Sequence, residues 1–370
     1  MVFITLLMLC IIIKFFLFHR KPAPTAAGAI VMAIGIFEYD AFNNFFLFNT
    51  AGKKYIAFLL AIIWLFIISS YAKSLFNHSL RKMHFQNEIK SFAIGTWVAG
   101  TSVCSTIIYN QFSELQVVSK IIMIANGLFW AYFIYICIRN FKKLMKKDFF
   151  INAHGIILLS TVSTQSLVVG FTNIFRDNYY IHMINECLFF LGVGFYILSL
   201  MIIINRYFTS YKTLDIKVDW YNTNCVIHGA MSITGLAGVI SHTIPANVTI
   251  LMWYWVLAWF ILIEFIEIYR ACVRLNQMGL INGLLKYDVS QWTRNFTFGM
   301  LFAFTLKLPT NEMPQFFIII RQFILHYGVV VVLVLLLCEM ILFLKENMTL
   351  KYLTLVSSSD TTQKEKYISK

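Results

Sequence analysis

An all-α polytopic membrane protein is the class that fits this chain, on three observations. Of its 370 residues 59% are hydrophobic, 17% aromatic and 13% charged, and the mean hydropathy is +0.73. Such a chain has too little polar surface to clothe a water-soluble globule. Apolar stretches of roughly 17 to 25 residues recur from end to end, each long enough to cross about 30 Å of hydrocarbon as a helix. The stretches also alternate: every second one is rich in Gly, Ala, Ser and Thr, and those between are rich in Phe, Leu, Ile and Trp. That pattern describes an inner, close-packed or water-lined ring inside an outer, lipid-facing one.

The first run, 2–18, contains Lys14 and ends on His19-Arg20-Lys21 and Pro22-Ala23-Pro24. No small-residue cleavage pattern precedes the prolines, so it reads as an extra span, an interfacial helix or an uncleaved signal-like anchor. Residues 1–24 are therefore set apart as an N-terminal apolar segment and basic linker. Ten helices are predicted near 25–46, 54–74, 91–110, 116–138, 151–174, 181–205, 223–242, 248–272, 291–308 and 315–344. They make a domain over 25–344, followed by a polar tail over 345–370 whose last part, from Ser357 to Lys370, is expected to be mobile.

Lys and Arg cluster in alternate loops: Arg81, Lys82 and Lys90; Arg139, Lys142, Lys143, Lys146 and Lys147; Arg206, Lys212 and Lys217; Arg270, Arg274 and Lys286. The intervening loops carry few. By the positive-inside rule the rich loops face the cytoplasm, and Arg20-Lys21 and the tail from Lys345 fall on the same side. Five hairpins result in a multi-pass protein of the cell membrane, with both ends of the ten-helix core cytoplasmic. The formal net charge of +13 is thus explained by topology, with no nucleic-acid partner. The seven cysteines lie scattered in apolar runs without paired spacing and read as small core residues, suggesting neither disulfides nor a zinc site. No HExxH, GxSxG or Walker-type sequence is present, so nothing points to an enzyme, and no nucleotide, metal or haem cofactor is implied.

The leading helices of the five hairpins share the small, hydroxylated character. They carry Gly35; Gly95 with Gly100, Thr101 and Ser102; Thr164, Gln165 and Ser166; Gly229, Ser232 and Thr234; and Gly299. These twelve residues are the candidates for lining a pathway, because hydroxyls and backbone approached closely by glycine supply hydrogen bonds inside a bundle. Tight packing without a pore needs the same residues, and it is the sharing of the character by all five helices that favours a pathway.

Within those helices, Gly95-Thr96-Trp97-Val98-Ala99-Gly100-Thr101-Ser102-Val103 resembles an element of the tellurite-resistance/dicarboxylate transporter family, which also includes malic-acid transporters, sulfite exporters and plant slow-type anion channels. Four further elements are similar to that family's and occur in its order: Val31-Met32-Ala33-Ile34-Gly35-Ile36, Val162-Ser163-Thr164-Gln165-Ser166, Gly229-Ala230-Met231-Ser232-Ile233-Thr234, and Trp292 followed by Phe296 and Gly299-Met300. The resemblance implies ten helices in five hairpins around a central pore, commonly in a homotrimer with one pore per protomer, moving small anions across the lipid bilayer. It further implies a phenylalanine plug from the ninth helix, which aligns with Phe296, with Phe298 as the near alternative; an aromatic ring in a narrow tube can gate by dewetting. The 36 phenylalanines make packing the ordinary role for any one of them. Thr297 stands where the family has proline, and Ala33-Ile34 loses a hydroxyl from the first helix.

Several charged residues fall within or beside the spans. Arg294, near the cytoplasmic start of the ninth helix, reads either as an attractor of anions at a pore entrance or as a snorkelling side chain. Glu38 and Asp40 lie near the outer end of the first helix, where unpaired carboxylates discourage anions. Glu264 and Glu267 have the spacing to pair with Arg270. His154 and His228 read as hydrogen-bonded groups near helix ends. Three functions remain: a channel for small anions; a proton-coupled carrier of C4-dicarboxylates, other organic acids or tellurite-related species; and a scaffold or receptor without a continuous polar path.

Overall fold

The computed structural model describes residues 8, 11, 22–41, 50–146, 152–176, 178–310 and 313–368. Apart from Met8 and Ile11, the apolar run 2–18 lies outside them, as do residues 42–49 of the first predicted span. Ten α-helices of nine residues or more follow one another: α1 (Gly28–Ile36), α2 (Thr50–Phe76), α3 (Gly95–Gln111), α4 (Gln116–Leu144), α5 (Leu159–Ile174), α6 (Tyr179–Ser210), α7 (Val226–Ile240), α8 (Ala246–Gly283), α9 (Gln291–Lys307) and α10 (Gln315–Ile368). Eight helical stretches, those ending α2 through α8 and the first part of α10, are long and apolar enough to cross a membrane. The protein is an all-α polytopic membrane protein.

The helix ends differ from the sequence reading where nothing in the chain stops a helix. α8 runs past residue 272 and absorbs Gly279 in a non-helical conformation, with φ of 71°. α10 continues through Ile368 because no Gly or Pro occurs after Gly328, and these are the residues that end helices. Four leading helices begin with a 3-10 turn: Thr25–Ala27, Lys90–Ile94, Gly155–Leu158 and Asn222–Cys225. This tightening uses backbone groups that the first turn of an α-helix leaves unpaired. α1 ends in a π-helical turn, Phe37–Ala41.

The leading helices pack in a closed cycle, α1 on α3, α3 on α5, α5 on α7, α7 on α9 and α9 back on α1. Around them α2 leans on α1 and α3, α4 on α3 and α5, α6 on α5 and α7, α8 on α7, and α10 on α9. Small residues make the cycle possible. A Cβ added to Gly28 would strike the Thr96 carbonyl, one at Gly95 the Leu159 carbonyl, one at Gly155 the Thr223 carbonyl, one at Gly229 the Thr297 side chain, and one at Gly299 the Ile36 side chain. Each glycine thus sits at a seam between one leading helix and the next, and the five seams close the circle. Because the contacts of Gly28, Gly95 and Gly155 join helix starts to helix starts, and Asn222 before α7 bonds Ser290 before α9, the leading helices begin at one end of the bundle, the end where Arg139, Lys142 and Lys143 also lie on α4.

Tryptophans tie the outer helices to this cycle. The indole N–H groups of Trp64 on α2, Trp130 on α4 and Trp253 on α8 donate to Thr101, Thr164 and Thr305 at 2.9, 3.0 and 2.9 Å. Trp97 of α3 donates to the Thr25 carbonyl at 2.7 Å and stacks on Tyr71 at 3.8 Å, holding the start of α1 against α2 and α3. An apolar ring with one donor at its edge suits a boundary that is greasy on one side and polar on the other. Cys104, Cys137 and Cys225 are buried as expected, whereas Cys187, Cys272 and Cys338 are exposed on outer helices.

Candidate functional site

A cavity at the centre of the cycle takes residues from all five leading helices: Ser102, Val103 and Thr106 of α3, Ser166 and Val169 of α5, Ile233 and Leu236 of α7, Met300 of α9, and Ile36 with Tyr39 at the end of α1. It holds only about 20 Å³, room for about one water molecule. A hydrated ion does not fit, so this conformation is closed along the axis.

Helix geometry identifies what α9 presents to that axis. Thr297 packs toward α7 and Gly299 toward α1. At roughly 100° per residue, the face between those two directions is centred between Phe296 and Met300, while Phe298 points to the opposite side. The contacts agree. Met300 lines the cavity and Phe296, one turn earlier, is 1% exposed. Phe298 lies 5.3 Å from the ring of Phe260 on α8 and 6.3 Å from His228, with the Arg294 guanidinium 5.9 Å away.

The twelve residues expected along a pathway are distributed over three surfaces. Ser102 and Ser166 line the central cavity. Gly35 meets Val103, Gly95 meets Leu159, Gly100 meets Gly28, Gly229 meets Thr297 and Gly299 meets Ile36, so these five form seams between leading helices. Thr101 and Thr164 accept from outer-helix tryptophans, and Gln165 donates to the Phe189 carbonyl of α6 at 2.9 Å. Ser232 and Thr234 donate to the carbonyls four residues earlier in α7, at 2.8 and 2.7 Å. An anion is held by donors, and most of these hydroxyl protons are already committed. Ser102 accepts from Asn126 of α4 at 3.0 Å, so its hydroxyl is turned to an outer helix and the surface of the cavity itself is apolar. Asn126, which also donates to the Val98 carbonyl at 3.0 Å, is a functional neighbour that small-residue patterning on the leading helices does not reveal. Its signal in the sequence is an amide within the apolar run of α4.

At the end where the leading helices start, Arg294 is drawn into an ionic cluster. It pairs with Glu264 and, at 3.2 Å, with Glu267 of α8. Glu267 also reaches Arg270 at 3.5 Å and accepts from the Trp220 indole at 2.8 Å. Arg270 in turn donates to Asn222 at 2.6 Å, and Asn222 to Ser290 at 3.0 Å. Of the two carboxylates expected to meet Arg270, only Glu267 does so; Glu264 is directed across to α9, a partner 30 residues away that local spacing cannot indicate. Nearby, His154 bonds Thr223 at 2.7 Å, whereas neither ring nitrogen of the fully buried His228 has a hydrogen-bond partner. His154 is thus the hydrogen-bonded helix-end group expected, and His228 is not. At the opposite end Asp40 pairs with Lys307 at 3.8 Å, and both carboxyl oxygens of Glu38 are buried without a hydrogen-bond partner. Among the described residues no cluster of His, Cys, Asp and Glu has the makings of a metal site.

A model of the family described as voltage-dependent anion channel matches residues 22–341. The match takes in every leading helix and every element on which the family resemblance rests. No curated protein matches the chain.

Proposed function

The chain belongs to the voltage-dependent anion channel family, a family of transporters rather than enzymes, and we propose that it conducts small anions along the axis enclosed by α1, α3, α5, α7 and α9. The observation that carries this reading is the central cavity walled by residues from all five leading helices, on the axis to which Phe296 and Met300 turn. In this reading the ten helices form five hairpins, the basic loops are cytoplasmic, and Phe296 is the plug. Phe298 packs between α7 and α8 and supports the helix that carries it. Ser102 and Ser166 contribute uncharged walls to this path. With no fixed positive charge at the constriction, binding is weak and transit fast, and anions that shed water readily are favoured. Arg294 acts by anchoring α9 to α8 through Glu264 and Glu267, two residues before the plug.

A second reading, a proton-coupled organic-acid carrier, draws on Glu38. A carboxyl group buried in an apolar bundle without a hydrogen-bond partner is the type of group such carriers use.

Anion flux through purified protein in liposomes tests both readings, with chloride, nitrate and malate compared with and without a proton gradient. Phe296→Ala is expected to raise gradient-independent flux by roughly tenfold or more, equivalent to a barrier lowered by about 1.4 kcal/mol, while Phe298→Ala leaves it near the wild-type level. Malate uptake that requires the proton gradient and is abolished in Glu38→Gln would instead establish the carrier. Absence of flux in wild type and both phenylalanine variants would dispose of transport altogether.

A further inference from the structure

At the end of the bundle remote from the basic loops, a second and larger cavity of about 470 Å³ opens between α3, α4 and α5. It shares α3 and α5 with the central one and lies to the side of the axis where α4 packs. Along α3 the residues facing the central cavity, Ser102 and Thr106, continue one turn later into Tyr109 and Asn110 of the outer cavity. Along α5, Ser166 and Val169 continue into Asn173 in the same way, as the helical repeat requires, and Arg176 follows just past the helix end. A hydrogen bond links the walls of the two spaces. Tyr39, which lines the central cavity, donates through its hydroxyl to the side-chain oxygen of Asn173, which lines the outer one, at 3.1 Å. Asn173 is held in place by its own amide, which donates to the Val169 carbonyl at 2.7 Å.

The chemistry of the outer cavity is that of an anion receiver. Its lining contains two cations, Lys120 and Arg176, and no carboxylate. Among the described residues neither cation forms a salt bridge; Asp177, adjacent in sequence to Arg176, lies outside those residues. Asn178 accepts from the backbone N–H groups of Tyr180 and Ile181 with its side-chain oxygen, so the group it offers the cavity is its NH2 donor. Carboxylates and small inorganic anions are recognised by this combination of positive charge and amide donors.

Resting on the anion-transport reading above, we propose that this cavity is a vestibule that concentrates small monovalent anions through Lys120, Arg176 and Asn178. The Tyr39–Asn173 hydrogen bond is its floor, a second closure in series with Phe296 that parts to admit the anion to the central cavity.

The test uses the full chain carrying Asn110→Cys, a lining residue outside the proposed anion contacts, with Cys10, Cys187, Cys272 and Cys338 replaced by Ser, reconstituted in liposomes. The rates of thiol modification by an anionic and by a cationic methanethiosulfonate are compared, each relative to its rate on a free thiol. A pair of cations lining a cleft enriches anions by roughly tenfold at low ionic strength, so the anionic reagent is expected to be favoured by about that factor. The preference should collapse toward parity in Lys120→Gln/Arg176→Gln, and nitrate replacing gluconate at constant ionic strength should slow the reaction. A preference unchanged by removing the two cations, or a rate indifferent to nitrate, overturns the vestibule. Both cations are exposed, so the double variant leaves the core intact. In flux the same double variant should raise the half-saturating nitrate concentration several-fold while preserving the maximal rate, and Tyr39→Phe should raise flux at saturating nitrate. A protein with no flux but with charge-dependent, nitrate-protected labelling would refute conduction and leave the anion site standing; flux without that labelling would do the reverse.

Discussion

The stretches Lys90–Gln111 and Ala51–Phe76 are of similar length and lie against each other, joined by the bond from Trp64 to Thr101. Yet 94% of the most apolar window of the first is buried, against 22% of the second. The same division runs around the molecule: Gly155–Ile174 and Asn222–Ile240 are each 83% buried, Ser113–Leu144 and Ala246–Gly283 each 33%. The more deeply buried helices are the less apolar ones. In lipid no hydrophobic force drives one apolar helix onto another, so close packing and hydrogen bonds decide which helix goes inside. The inner helices obtain contact through missing side chains, and the outer ones meet lipid with large side chains that need no particular partner.

That contrast can be broken most severely at the glycines. Gly155→Val is expected to prevent folding or to lower the detergent-solubilised melting temperature drastically. Its Cβ would overlap the Thr223 carbonyl, a backbone obstacle that cannot rotate away, and even ordinary overpacking costs roughly 1–3 kcal/mol. Gly194, on outer helix α6, has nothing within 4 Å of the corresponding position. There, alanine should be neutral or add roughly 0.5–1 kcal/mol through helix propensity. Equal effects at the two glycines in a thermal-shift assay would remove the distinction between the rings.

Ion pairs sharpen it at the next level. Arg294→Gln strands Glu264, whose side chain is 15% exposed, while Glu267 keeps Arg270 and the Trp220 indole; removal of one partner from a buried pair costs about 3–5 kcal/mol. Lys143→Gln breaks the pair with Glu88 at 2.9 Å, where the side chains are 44% and 30% exposed, and should cost less than about 1 kcal/mol. Chemical denaturation of the two variants side by side measures the gap, and a larger loss for Lys143→Gln would contradict it.

The smallest effect is set by pH. His84, outside the spans, is buried against Tyr71 and Trp97 with its Nδ1 bonded to Thr25 at 2.9 Å, and burial holds its imidazole below the ordinary histidine range. The unfolded chain therefore takes up the proton first, so the stabilisation is complete above about pH 6.5 and is lost as the pH falls from there toward the lowered folded value. A melting temperature followed from about pH 8 to pH 5 should decline, and less so in His84→Gln; identical slopes would exclude His84 as the cause.

The alternation of small and large residues made the division into inner and outer helices legible, because packing density is written in side-chain size. Which side of an inner helix a hydroxyl faces was not legible. Thr101 and Ser102 are adjacent in one motif, yet the first is turned to the Trp64 indole of α2 and the second to Asn126 of α4. An inner helix needs hydrogen-bonding groups on both sides, so composition alone cannot tell them apart. The orientation of Phe296 became clear only once Thr297 and Gly299 fixed the two flanks of α9. The cluster around Arg294 escaped for a related reason: Glu264 stands six residues from Arg270, off the i,i+3 and i,i+4 positions that meet on a helix, and its partner is set by how α8 crosses α9. The 3-10 starts left no signal, since they arise from where the neighbouring carbonyls stand.

The seams of the ring differ in how they could change over evolutionary time. Gly229 and Gly299 each face a side chain, Thr297 and Ile36, so a larger residue on one helix can be matched by a smaller one opposite. Paired exchanges between those positions should therefore be found among relatives. Gly28, Gly95 and Gly155 face main-chain carbonyls, for which no exchange on the far side can make room. Two of the five seams are thus free to drift by compensation, while the other three are frozen in the form seen here.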